Sequence, residues 1–305
     1  MKKRWSSLSQ ADWGDIDMAN DRFTPYQIKD ENGDIIGPDK WENTYHTRST
    51  VNDETLKKKH ILFLGDSFVF GHGVARGHTI SDHFNESVPE DYSCFNLAEP
   101  GSGFDTALLR LQQWCNSHGD QVHAIYFGFS DISRHRHWES VDADWKWEDD
   151  VMKEDKDFWD HFGIQYSPSF HNAIGKTGKR VNAIRGKYNQ VLSKVNSVAK
   201  LHTTISAVIN LSKVHNFKVF FFCTFGFTDS GDDNILLRKQ TESTQVKWCD
   251  GLQFNPMQIA YEESLKPPKP REPWDSNYIP NDGHWNSKGC KKVSDVLHRQ
   301  TKHWY

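Results

Sequence analysis

Ile61-Leu62-Phe63-Leu64-Gly65-Asp66-Ser67-Phe68-Val69-Phe70-Gly71 begins as an unbroken apolar run and turns, at a glycine, into small and turn-forming residues around a serine. A short apolar run closed by a turn signal reads as a strand buried on both faces, the kind that parallel sheets contain. Open α/β sheets bind ligands outside the carboxyl ends of their strands, so Ser67 stands where such a sheet presents a hydroxyl to a substrate. Near the other end of the chain, Asn281-Asp282-Gly283-His284-Trp285-Asn286 puts a carboxylate and an imidazole on one tight loop. Those are the two side chains that a serine nucleophile lacks.

Strand and helix alternate outward from that stretch. Strands are expected at 60–65, Tyr92–Leu97, Val122–Phe127 and Phe217–Cys223, with Gly128-Phe129-Ser130-Asp131 read as a loop after the third. Helices are expected at Thr79–Glu86, at Asp105–Trp114 with Asp105 or Thr106 as cap, and at Ser193–Asn216. A last helix starts at a cap on Asn286 or Ser287. The apolar sets Ala107, Leu108, Leu111, Trp114 and Val293, Val296, Leu297 recur at three- and four-residue steps, which gives each helix one buried stripe. Such alternation implies a three-layer α/β/α domain on a parallel sheet.

Residues 1–58 are polar and turn-rich and read as an irregular extension, or a short hairpin, packed on a domain spanning 59–305. Two interruptions break the pattern, at about 134–187 and about 225–280. The first holds Trp138, Trp145, Trp147 and Trp159 among many charges, and it is either a satellite core or a substrate lid. The second contains Lys266-Pro-Pro-Lys-Pro-Arg-Glu-Pro273, a stiff polyproline-like segment leading to the histidine loop.

With 305 residues the chain can bury a substantial core, and although its hydrophobic content is only 36%, 19 Phe and 12 Trp supply apolar mass in large pieces. A net charge of -4 argues against a nucleic-acid footprint, which needs concentrated Lys and Arg. Cys94, Cys115, Cys223, Cys249 and Cys290 show no CxxC spacing, so reduced thiols are expected rather than a zinc knuckle or a disulfide framework. His135, His137, Asp142 and Asp144 are read as chance clustering among sixteen histidines, with no metal expected. No apolar segment follows Met1-Lys-Lys-Arg4, and no run approaches the ~20 residues of a membrane span, so a cytoplasmic protein without a membrane partner is expected.

Gly65-Asp66-Ser67 after a strand, Gly101 in Asn96-Leu-Ala-Glu-Pro-Gly101, Gly128-Phe-Ser-Asp131 and Asp282-Gly-His284 together resemble the ordered blocks of the SGNH (GDSL-like) hydrolases over roughly residues 60 to 300. The resemblance implies a flavodoxin-like α/β/α fold and a serine esterase that needs no cofactor and acts on a small-molecule or glycan ester. Carried over residue by residue, it makes Ser67 the nucleophile, His284 the base and Asp282 its orienting carboxylate, with Asn281 in reserve. Oxyanion donors would be the Ser67 and Gly101 amides. The family's third-block asparagine is replaced by Ser130, which is either a shorter oxyanion donor or a plain turn residue. The same acyl-serine could instead pass to an acceptor hydroxyl, making the chain an O-acyltransferase, or the fold could serve as a non-catalytic binding module. Asp66 is expected to accept hydrogen bonds in its turn rather than to transfer protons.

Overall fold

The structure is a computed structural model that describes residues 26–29, 35–39, 49, 52–99, 103–129, 135–137, 164–166, 194–224, 238–250, 256, 257, 259, 277, 279 and 284–305. Only the backbone is described at 26–29, 35–39, 135–137, 164–166 and 194–198. Among these residues the central sheet has five parallel strands: β1 (Lys59–Leu64), β2 (Tyr92–Asn96), β3 (Val122–Phe129), β4 (Lys218–Cys223) and β5 (Val246–Trp248). Their order in space is β2-β1-β3-β4-β5. This is the 2-1-3-4-5 order of the flavodoxin-like doubly wound sheet. The chain leaves β1 toward β2 and then returns to the other side of β1 to build β3. The carboxyl end of β1 therefore borders the crevice where the winding reverses, and ligands collect there in such sheets.

Alternation along the strands sorts the helices into two layers. Phe63 and Tyr126, paired across β1 and β3, stack at 4.9 Å and 8° and meet Phe84 of helix α2 (Ile80–Asn85), which follows the one-turn helix α1 (Ser67–Phe70). The Tyr126 hydroxyl on that face hydrogen-bonds Tyr305 at 2.6 Å, just beyond the last helix, Ser287–Thr301. His60, on the opposite face of β1, accepts a hydrogen bond from Trp114 Nε1 at 3.2 Å. Trp114 belongs to helix α3 (Phe104–His118), which packs against α4 (Lys194–His215). The last helix is α5. Large aromatics fill both seams: Phe129, Phe221 and Trp248 pack together on the face of His60, with ring centroids 4.8–5.9 Å apart.

Several expected boundaries shift, each for a physical reason. Gly128 and Phe129 belong to β3 rather than to a loop, because Phe222 and Cys223 of β4 continue the ladder beside them. Helix α3 starts at Phe104 with Gly103 as N-cap and no side-chain cap, so neither Asp105 nor Thr106 caps it; Asp105 lies in the first turn. Asn286 rather than Ser287 caps α5, accepting from Gly289 N–H at 3.0 Å. The second interruption is not all loop. It holds β5 and a short helical stretch at 238–241.

Two antiparallel strand pairs accompany the sheet, one of Tyr26–Lys29 with Ile35–Asp39 and one of His135–His137 with Ile164–Tyr166 inside the first interruption. The tryptophans of that interruption, and the side chains of His135, His137, Asp142 and Asp144, lie outside the described residues. All five cysteines are free and buried. Among the described residues no helix is long and apolar enough to cross a membrane.

Candidate active site

The turn after β1 forms because each residue in it has its own job. Gly65 has φ +155°, a region open to glycine, and a Cβ there would sit 2.6 Å from Val69 Cγ2. Asp66 is the N-cap of α1, its Oδ1 accepting from Phe68 N–H at 3.0 Å. Its other oxygen, Oδ2, accepts from the Thr224 hydroxyl at 3.2 Å, just past the end of β4. Asp66 is 1% exposed, so this pairing satisfies a carboxylate that burial would otherwise penalise. It is the hydrogen-bond acceptor expected of it. Gly71 closes the single turn in the left-handed region at φ 81°.

Ser67 is thereby the first residue of α1, 1% exposed, with its hydroxyl facing the start of the last structural unit of the chain. His284 Nε2 lies 2.8 Å from Ser67 Oγ, a contact between residues 217 positions apart. With Nε2 unprotonated, the serine hydroxyl donates to it. The His284 segment is anchored on both sides of the imidazole. Ile279 N–H donates to His284 O at 2.8 Å, and Asn286 N–H donates to Asn277 O at 3.0 Å. Trp285 is buried edge-on against Phe68, with centroids 4.9 Å apart. The His284 ring itself touches two rings, Phe68 at 4.7 Å and 36° and His72 at 4.4 Å and 38°.

A second group of buried polar residues fixes the neighbouring strand ends. Asn96, fully buried at the end of β2, donates from Nδ2 to Val69 O at 2.9 Å and Phe70 O at 3.4 Å. Its Oδ1 accepts from Ala98 N–H at 3.2 Å. One amide thus ties the carbonyls of the serine turn to the start of the β2–α3 connection. Glu99 N–H donates to Gly65 O at 3.0 Å, and the Glu99 carboxylate faces the Arg110 guanidinium at 3.7 Å, both buried. Arg110 also donates to Leu97 O at 2.8 Å, so the connection leading to Gly101 is pinned as far as Glu99. Gly128 completes the packing, since a Cβ there would meet Val69 Cγ2 at 2.7 Å and Phe222 Cζ at 3.0 Å.

Of the expected site residues, the structure brings Ser67 and His284 together. Asp282, Asn281, Gly101 and Ser130 lie outside the described residues. The sequence reading passed over Asn96, Thr224, Arg110 and His72. Asn96 carried the clearest signal, a polar side chain that closes a strand otherwise Tyr-Ser-Cys-Phe and opens the segment read for its glycine. Among the described residues no group of His, Cys, Asp and Glu is placed to hold a metal ion.

No protein-family model and no curated protein matches the chain. Solved structures do. The chain is similar to a member of the lipolytic protein G-D-S-L family from Veillonella parvula DSM 2008, at 12% identity and a TM-score of 0.42, over 79% of this chain and 96% of that one. It is also similar to the psychrotrophic esterase EstA from Pseudoalteromonas sp., at 13% identity and a TM-score of 0.42, over 81% of this chain and 98% of that one.

Proposed function

We propose that the chain is a serine-dependent carboxylic ester hydrolase of the SGNH type, acting on a small-molecule or glycan ester through an acyl-Ser67 intermediate. The observation that carries the reading is the 2.8 Å contact between Ser67 Oγ and His284 Nε2, at the carboxyl edge of a doubly wound sheet. Serine is a weak nucleophile at its own pKa, and a base at hydrogen-bond distance is what activates it.

In the first half-reaction Ser67 Oγ attacks the ester carbonyl carbon while its proton passes to His284 Nε2. The tetrahedral oxyanion is held by the Ser67 amide, with the Gly101 amide and Ser130 as the other donors. Among the described residues nothing accepts a hydrogen bond from Ser67 N–H, which suits that role. Collapse breaks the C–O bond, and the alcohol leaves with the proton from Nε2. A water then attacks the acyl-serine, giving its proton to His284, and the second collapse returns that proton to Ser67 Oγ as the carboxylic acid departs. Asp282 orients the imidazole and stabilises the imidazolium. Asp66 takes no part in proton transfer, since Phe68 N–H and Thr224 occupy its oxygens.

Labelling with a fluorophosphonate, read by intact mass, tests the assignment. Wild-type protein should gain one adduct and Ser67→Ala none. An adduct that persists in Ser67→Ala, or wild-type protein that takes none, would overturn it.

A further inference from the structure

Ser67 and two of the rings around the base come from one six-residue segment. Gly71 N–H and His72 N–H both donate to Ser67 O, at 3.1 and 2.9 Å, so the backbone from Ser67 to His72 is closed on itself. The serine hydroxyl, the Phe68 ring and the His72 ring from this segment all meet the His284 imidazole. Their placement relative to one another is set locally, whereas His284 arrives from far along the chain.

The two rings differ in what else they do. Phe68 is buried and also packs on Trp285, so it belongs to the core whatever the chemistry. His72 is only half-buried, and its ring centroid lies 4.4 Å from that of His284, at the close end of aromatic contact distances. His284 is half-buried as well, and its ring lies against both of these rings. Rotation about its side-chain torsions would carry Nε2 away from Ser67 Oγ, and a displacement of about 1 Å in a reacting group costs on the order of 100-fold in rate. The rings also matter electronically. As His284 takes the serine proton it becomes a cation, and a cation is favoured by adjacent π-systems.

We propose that His72 is a positioning residue for His284, its ring acting with that of Phe68 to hold the imidazole so that Nε2 points at Ser67 Oγ. This rests on the serine-hydrolase reading above. The required property is a flat ring beside the imidazole, so phenylalanine can substitute and alanine cannot.

The test uses the full chain with His72→Ala and His72→Phe, measuring p-nitrophenyl butyrate hydrolysis, the rate of fluorophosphonate labelling at Ser67, and the thermal midpoint. His72→Ala should lower kcat and the labelling rate about tenfold, with KM within about twofold and an unchanged midpoint. His72→Phe should recover kcat to within about threefold of wild type. Full activity in His72→Ala would overturn the proposal, and so would a loss that phenylalanine does not restore. NMR relaxation of the His284 ring carbons separates this inference from the reading beneath it. If wild-type protein neither turns over ester nor labels, the hydrolase reading fails, while a His284 ring that gains no mobility in His72→Ala defeats the positioning role whatever the activity.

Discussion

Replacing Asn96 with aspartate exchanges one NH2 group for an oxygen at almost constant shape, and the site makes that exchange costly in a way that depends on pH. Asn96 Nδ2 points at Val69 O at 2.9 Å and Phe70 O at 3.4 Å, with the side chain fully buried. An ionised carboxylate there would set an anion against two carbonyl oxygens and keep only the Ala98 N–H as donor. A protonated carboxyl would instead restore one donated bond, to Val69 O. The new group is therefore held neutral in the folded state, with a folded pKa raised above the ordinary aspartate value of ~3.9. More protons are then bound folded than unfolded, so stability falls as pH rises above that value, by about 1.4 kcal/mol per unit. By pH 7 the linkage alone amounts to at most about 4 kcal/mol, the full value being reached when the folded pKa lies above 7. Below pH 4 the remaining penalty is about 1 kcal/mol, for the second donated bond. Urea unfolding of wild type, Asn96→Asp and Asn96→Ala at pH 4.5 and 7.5 measures these differences, with the pH dependence common to all three cancelling. Asn96→Ala should cost about 2–3 kcal/mol at both pH values, from groups left without partners in a buried site. An Asn96→Asp protein as stable as wild type at pH 7.5, or a penalty equal at the two pH values, would refute the reasoning.

Burial lowers the His60 pKa to about 4, and Trp114 Nε1–H already donates to Nδ1, leaving Nε2–H to donate to Leu56 O at 3.2 Å. The unfolded state takes up this proton first, so stability should decline as pH falls from 6.5 to about 4, by at most about 3 kcal/mol; His60→Gln should flatten that part of the stability–pH curve. Gly128→Ala would force its Cβ to within 2.7 Å of Val69 Cγ2, so it should destabilise by about 1–3 kcal/mol and slow labelling of Ser67, with Val69→Ala in the same chain partly restoring both. Asp282→Asn should lower kcat by orders of magnitude with little change in KM while Asn281→Ala does little, and steady-state kinetics that rank them the other way would move the carboxylate role elsewhere.

The sequence read best where one local pattern determined one local outcome. β1 and the turn after it were legible because an apolar run ending in Gly-Asp-Ser leaves little else to form, and α5 because its apolar stripe and Asn286 cap lie within one short window. Gly128 misled for the same reason: read locally, a glycine after apolar residues ends a strand. In the fold its missing side chain makes room for Val69, and the ladder to Phe222 runs through it. β5 escaped because it is three residues long within a polar stretch, and an edge position beside β4 is what makes Val246–Trp248 a strand.

The candidate site divides along the same line. Ser67 and His284 stand out by type, since few arrangements need an isolated serine at a strand end and a late imidazole after an acid. The residues that hold them stand out less, and none of them names its partner. Asn96, Thr224 and His72 act across 27, 158 and 212 positions, on Val69, Asp66 and His284 respectively. No spacing rule of helix or strand reaches that far, and a polar residue waiting for a distant partner looks in sequence like one waiting for water. What can be read is the cost of being wrong about it. Asn96 closes a strand that pairs with β1, buried from His60 to Leu64, so its amide had to find acceptors inside the fold, and it finds them in the carbonyls of the turn at the neighbouring strand end. A buried polar residue at the carboxyl end of a strand beside the Ser67 turn is therefore a prediction about that turn's scaffold, and the Asn96 variants test it without any knowledge of the substrate.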